Sequence, residues 1–274
     1  MTQVRRGYAD GPYGQLHYRD NGATGEPLLL LHQAPMSSRQ FDRVYEPFAA
    51  EGIRAVGMDL PGFGQSDPTA DTPTVADYAA AVPALLDHLG IAVAHLGGHH
   101  TGAMVCIETA VTFPDRVASL ALSGPAPITD AEAQTFLDTI VAGEKAFEPQ
   151  ADGSHFLELW APRYEWIKEH PEAARLCTDY ITQPLTATGP FWWGHDAAFR
   201  YRTGERLPLV TQRGLFIANT TDMIYHLAER ARSIRPDFAY VELEGGGVDV
   251  TDLDPRGWTR AVSDFVRAVR EAER

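Results

Sequence analysis

The chain has 274 residues, 44% of them apolar and 22% charged, and its 37 acidic against 23 basic side chains give a formal charge of −14. These are ordinary values for a soluble globular protein, and a chain of this length buries roughly three quarters of its unfolded surface, enough for one large core and an appendage. The negative charge argues against nucleic-acid backbones and anionic membranes as main partners, since both repel it. A small-molecule substrate is the expected partner, and assembly into a homodimer is compatible with this composition. The apolar run Leu28 to Leu31 falls far short of the ~20 residues a membrane span needs. The N-terminal MTQVRRGYADGPYG lacks the apolar segment of a signal peptide, and Cys106 and Cys177 stand far apart in no metal-like spacing. A cytoplasmic location is expected.

In chain order, Gln15–Arg19 reads as an edge strand and Pro27–His32 (PLLLLH) as a strand covered on both faces. Phe41–Ala50 reads as a helix, Ile53–Asp59 as a second buried strand and LPGFGQSD as a turn-rich loop. From Val75 the apolar positions Tyr78, Ala79, Val82, Leu85, Leu86 and Leu89 keep helical spacing up to Gly90. Val93–Gly97 is a third strand, Thr101–Phe113 a helix stopped by Pro114, and Val117–Ser123 a fourth strand. Between Pro125 and Pro208 the strand pattern vanishes, leaving aromatic-rich helical segments broken by Pro and Gly. Gly214–Ala218 and Phe238–Leu243 then resume the sheet, with helices over Met223–Ile234 and Arg256–Ala272. Alternating strands and helices imply an α/β fold with a mostly parallel sheet and helices on both faces. The expected division is a core of residues 1–124 and 209–274, with 125–208 a helical cap over the carboxyl edge of the sheet, where open α/β sheets place ligands.

The stretch Leu96–Met104, LGGHHTGAM, runs a strand into Gly98-His99-His100-Thr101-Gly102 and then directly into a helix. That context matches the G-x-S-x-G nucleophile elbow, whose small flanking residues let the strand turn sharply and lift the central side chain above the sheet. Four further features agree: His32-Gln33-Ala34-Pro35 at the end of an upstream strand, DLPGFGQSD after the next, PDRV after the elbow helix, and Thr221-Asp222-Met223 after a later strand. Together they resemble the α/β-hydrolase superfamily, in particular its capped members such as haloalkane and haloacetate dehalogenases, epoxide hydrolases and C–C-bond hydrolases. The resemblance spans about residues 11 to 270, with the cap matched by position alone.

Two positions depart from the family pattern. The apex residue, Ser, Asp or Cys in most of the family, is His100, and Val248 in Glu244-Gly245-Gly246-Gly247-Val248-Asp249 stands where the catalytic His is expected. A Ser–His–Asp acyl-enzyme route therefore does not transfer by analogy. An imidazole is itself the commonest general base and can be a nucleophile, and the resemblance puts Asp222 where it would fix the ring's tautomer. The backbone amides of Thr101 and Gln33 are the expected oxyanion donors, each worth on the order of 3 kcal/mol.

The pocket is expected to include His32, Ala34, His99, Trp160, Trp192, Trp193, His195 and Val248. For each, a bland role competes. His32 and His99 resemble residues that support the oxyanion loop and the elbow from behind, Asp222 also suits a helix cap, and His195 is either a proton relay or an ordinary cap residue. The tryptophans enclose an apolar substrate or merely pack the cap, and Asp249 and Asp252 read as surface acids. A metal held by His99, His100 and Asp222 is disfavoured, because adjacent histidines on a turning backbone diverge. No glycine pattern for a dinucleotide or phosphate stands in the right context, so no metal and no organic cofactor are expected. Three functions remain open: an atypical hydrolase, a non-hydrolytic lyase, isomerase or cyclase with His100 as base, and a ligand-binding protein without turnover.

Overall fold

The computed structural model describes residues 3–272 and holds one eight-stranded sheet in the order β1-β2-β4-β3-β5-β6-β7-β8. The strands are β1 (Arg5–Gly11), β2 (Gly14–Asp20), β3 (Glu26–Leu31), β4 (Ile53–Met58), β5 (Ala94–His99), β6 (Val117–Ser123), β7 (Arg213–Asn219) and β8 (Ala239–Leu243). β1 pairs antiparallel with β2, and β2 with β4; every later pairing is parallel. Leu28, Leu29, Leu30 and Leu31 are all buried, as a strand covered on both faces requires.

The coverage comes from helices on each side. On one face α2 (Val75–His88) and α3 (Thr101–Thr112) join Leu29, Leu31, Leu96 and Leu120 in one apolar cluster. On the other, α1 (Tyr45–Ala50) and the long C-terminal helix supply Tyr45, Phe48, Trp258, Val262 and Val266 against Leu28, Leu30 and Leu215. Local signals set the boundaries. Thr74 and Asp77 satisfy each other's backbone amides in a capping box that starts α2, and Pro114 follows directly on the end of α3.

Between β6 and β7 the chain is helical: α4 (Asp130–Phe136), α5 (Ala142–Lys145), α6 (Ser154–Ile167), α7 (Ala173–Leu185), α8 (Trp193–Arg200) and α9 (Thr203–Arg206). A π-helical turn, Leu137–Val141, joins α4 to α5. After β7 come α10 (Ala228–Ile234), the short α11 (Val250–Leu253) and α12 (Pro255–Ala272).

Three boundaries differ from the sequence reading. β1 is an extra edge strand, and the helix expected over Phe41–Ala50 is a 3₁₀ turn at Ser38–Phe41 followed by α1. The helix expected from Met223 begins as a turn at Tyr225–Leu227 and becomes regular at Ala228. Among the described residues, no helix is long and apolar enough to cross a membrane.

Candidate active site

The turn from β5 into α3 puts His100 at φ 49° and ψ −113°, and it is the one non-glycine residue with positive φ among those described. Such a conformation costs of order 1–3 kcal/mol and persists where the surroundings over-determine it. Here the His100 N–H donates to the Ser123 carbonyl at 2.8 Å, and its own carbonyl accepts the Ala103 amide at 2.8 Å. The flanking glycines are required: a Cβ on Gly98 would strike the Gly102 backbone, and one on Gly102 would strike the Leu31 carbonyl.

The His100 ring reaches Asp222, in the loop three residues after β7, with Nε2 2.7 Å from Oδ2. Gly124 makes the path, since its φ is +64° and a Cβ there would meet His100 Cδ2 and Nε2. The carboxylate is an acceptor, so Nε2 carries the proton and the Nδ1 lone pair is left over. The Asp222 side chain is only 2% exposed. Burial pushes its carboxyl up, but the charge and hydrogen bond of His100, then His99 and the Ile224 amide, outweigh that and hold it well below the usual carboxylate range. The helix-capping role does not hold: Asp222 Oδ1 accepts the Ile224 amide at 3.0 Å in the turn after β7, while the helix itself starts at Ala228 with no side-chain cap. One carboxylate thus holds the His100 ring with one oxygen and the turn after β7 with the other.

His99 points inward and does not line the cavity. Its ring is buried, with Nδ1 3.0 Å from Ser123 Oγ and Nε2 2.9 Å from the Val248 carbonyl. The carbonyl accepts, so Nε2–H donates to it and Ser123 donates to Nδ1. Burial, with the neighbouring His100 charge, pushes its pKa down to about 3, so the ring is neutral. His99 therefore pins the loop in which Val248 replaces the family's histidine.

Gln33 is corrected as an oxyanion donor. Its amide donates to Gln40 Oε1 at 2.9 Å and is consumed there. The Ala34 amide faces the elbow instead, 3.3 Å from Thr101 Oγ1, a long bond that is easily exchanged. His32 is corrected as a pocket residue: it is fully buried, its Nδ1–H donates to the Gln33 carbonyl at 2.8 Å, and Nε2 accepts the Leu60 amide at 3.0 Å. Burial lowers its pKa, and the neutral ring braces the loop from behind.

His100 opens onto a cavity of about 610 Å³, within the range of small-molecule sites. Gln33, Ala34, His100, Thr101 and Val248 line it from the sheet side; Phe136, Ile140, Glu144, Arg163, Trp166, Tyr180, His195 and Phe199 line it from the helical insertion. Trp160, Trp192 and Trp193 do not, which corrects the expectation for them. Trp160 stacks on Tyr164 with centroids 4.4 Å apart, Trp192 lies under the Lys145 ammonium, and Trp193 packs against Gly62 and Gly189. Apolarity alone did not separate these rings from Trp166 and Tyr180.

Asp249 and Asp252 are not surface acids. Asp249 is buried in an ion pair with Arg163, whose guanidinium also sits 4.0 Å from the Tyr180 ring centroid. Burial raises the pKa of Asp252 to about 6, against the opposing charge of Arg43. The sequence also gave no sign of Glu144, whose Oε1 stands 2.7 Å from His195 Nδ1. Among the described residues, no group of three or more His, Cys, Asp or Glu side chains stands together as a metal site would require.

Residues 26–160 match the family model for the alpha/beta hydrolase fold. The chain has the α/β-hydrolase fold. A 2-hydroxy-6-oxononadienedioate/2-hydroxy-6-oxononatrienedioate hydrolase of Burkholderia vietnamiensis is 38% identical over 119 residues, 42% of this chain and 41% of that protein. A 2-hydroxy-6-oxo-6-phenylhexa-2,4-dienoate hydrolase of Comamonas testosteroni is 33% identical over 114 residues, 40% of each chain. The chain thus matches less than half the length of these relatives. Among solved structures, a thermophilic esterase of Thermogutta terrifontis superposes with a TM-score of 0.78 at 24% identity, covering 97% of this chain and 99% of that one. The enol-lactonase of Burkholderia xenovorans gives 0.76 at 19% identity over 95% and 100%. At these identities the structural likeness establishes the α/β-hydrolase fold.

Proposed function

We propose that this α/β-hydrolase-fold chain is an enzyme that uses His100, oriented by Asp222, as a general base at the carbonyl of a small, largely apolar substrate. The observation that carries the reading is the 2.7 Å His100–Asp222 contact at the apex of the elbow. It rebuilds the acid–imidazole half of a catalytic triad with the imidazole supplied by the elbow and not by the last loop. The cavity supports an apolar substrate, and hydrolases of oxo-dienoates among the relatives support a carbonyl one.

In the hydrolytic reaction His100 Nδ1 takes a proton from water as the water oxygen bonds to the carbonyl carbon. The imidazolium that forms is stabilised by the Asp222 carboxylate. The oxyanion is met by the Thr101 amide, in the first turn of α3 where amides lack an intrahelical partner. The Thr101 hydroxyl and the Ala34 amide, which now bond each other, are the further donors. Collapse of the tetrahedral intermediate breaks the bond to the leaving group, which departs with the electron pair. We further take residues 125–208 as the lid that excludes water over a core of 1–124 and 209–274.

A second reading, proton abstraction by His100 without hydrolysis, is favoured by one feature: the apex holds no hydroxyl, thiol or carboxylate to form a covalent ester. Single turnover in ¹⁸O-labelled water tests both. Label in the product acid, with no acyl-imidazole trapped, supports water activation by His100. Product without label supports the lyase or isomerase reading, and a trapped acyl adduct makes His100 the nucleophile. Ligand binding with no turnover of any carbonyl substrate would refute the enzymatic reading.

A further inference from the structure

The cavity is bordered by a second acid–imidazole pair that the scheme above leaves unused. His195 lies in α8 and Glu144 in α5, both in the helical insertion and both lining the cavity that His100 enters from the sheet edge. His195 Nδ1 stands 2.7 Å from Glu144 Oε1, so Nδ1–H donates and Nε2 is the ring's other face. Nε2 has no protein hydrogen-bond partner and is not buried, on a residue that lines the cavity. The ring is locked by Phe199, one helical turn on, whose plane lies 3° from that of His195 at a centroid separation of 5.5 Å. Glu144 Oε2 is buried and unpaired, so the carboxylate's one strong contact is this imidazole.

From the Glu144–His195 geometry we infer that His195 is the general acid of the reaction, handing its Nε2 proton to the leaving group. The inference rests on the general-base reading of His100. The two roles complete the balance. His100 removes a proton from water, the C–O bond forms, the bond to the leaving group breaks, and the leaving atom takes the pair together with the proton from His195 Nε2. Glu144 stabilises the imidazolium before transfer, and solvent restores both rings afterwards.

The charged neighbours permit this. Lys145 pairs with Asp196 at 3.2 Å and Arg200 pairs with the same carboxylate at 2.8 Å, so these three largely satisfy one another. Glu144 is the charge in contact with the ring. The other ionisable groups on the cavity wall are His100, Glu158, Tyr180 and Arg163, and the last is already paired with Asp249.

The test is a series of esters of one acid with leaving groups from 4-nitrophenolate to simple alkoxides, hydrolysed by wild type, H195Q, E144Q and H100Q. A general acid matters in proportion to the basicity of what it protonates, and its removal costs about 10²–10⁴-fold. H195Q should therefore lose a few-fold on the nitrophenyl ester and at least 100-fold on alkyl esters, steepening the dependence on leaving-group pKa. E144Q should follow in the same order with smaller losses. Residual nitrophenyl turnover by H195Q reports that the variant is folded. A loss equal across the series, or none on alkyl esters, overturns the inference and leaves the role of His100 standing. A wild type inert toward every ester, or an H100Q as active as wild type, overturns instead the reading on which it rests.

Discussion

Asp222→Asn tests the orientation of His100 without changing the shape of the site. Oδ1 can still accept the Ile224 amide, but an NH₂ replaces the oxygen that lies 2.7 Å from His100 Nε2. A donor now faces a donor, and relief comes if the ring moves its proton to Nδ1, which removes the lone pair that the proposed base would use. A hydrogen bond to a buried charged group is worth about 1.5–3 kcal/mol. At roughly 2–4 °C per kcal/mol for a chain approaching this size, the melting temperature should fall by about 3–12 °C at pH 7. The sign with pH follows from the depressed Asp222 pKa. Its contribution is complete above the ordinary carboxylate range and is lost as pH falls through the lower folded value, so the gap between wild type and variant closes in acid. Melts from pH 8 to 3, with ¹⁵N spectra of the histidine rings at pH 7, measure both effects. Activity should fall by roughly 10²–10⁴-fold, the range of an incorrectly held base. A variant that keeps the Nε2–H tautomer of His100 and melts within a degree of wild type at pH 7 would refute the reasoning.

Other substitutions probe the supports. Gly124→Ala puts a methyl against the His100 ring at a backbone φ of +64°; it should cost at least about 1 kcal/mol in urea unfolding and displace the ring, with turnover falling alongside. His99→Phe leaves the Val248 carbonyl without its donor and Ser123 Oγ without its acceptor. It should destabilise by about 2–5 kcal/mol and raise amide exchange in the 244–249 loop; unchanged exchange would mean that His99 does not hold that loop. Burial holds Asp252 near pKa 6, a raised value, so its ionisation destabilises the fold increasingly from the ordinary carboxylate range up to about pH 6 and fully above it. Asp252→Asn should therefore stabilise above pH 6 by roughly 2–3 kcal/mol, with the gain shrinking from pH 6 to pH 4 and absent below that in the same melts.

The sheet was legible because its strands are runs such as PLLLLH between turn residues, and the elbow because Gly98 and Gly102 bracket a polar apex. β1 was not, since most of Arg5–Gly11 is exposed and its pattern RRGYADG lacks a buried face. The Asp222–His100 pairing was anticipated from position, whereas the Glu144–His195 pair joins residues 51 apart through the packing of two insertion helices. The same limit applies to Gln33, whose amide is claimed by Gln40 seven residues on, a side chain with no motif to mark it. Backbone geometry follows from short sequence patterns; which buried polar atoms consume one another depends on how distant segments pack.

In the proposed reaction an imidazole on the elbow does the work usually shared by a nucleophile and a base. His100→Gln keeps polarity and approximate size at that apex while removing the basic nitrogen. Measured against wild type on one ester, with ligand affinity followed in parallel by calorimetry, kcat/KM should fall at least 100-fold while binding of a product analogue stays within a few-fold. A glutamine variant within about three-fold of wild-type kcat/KM would place the reaction on some other group and contradict the account.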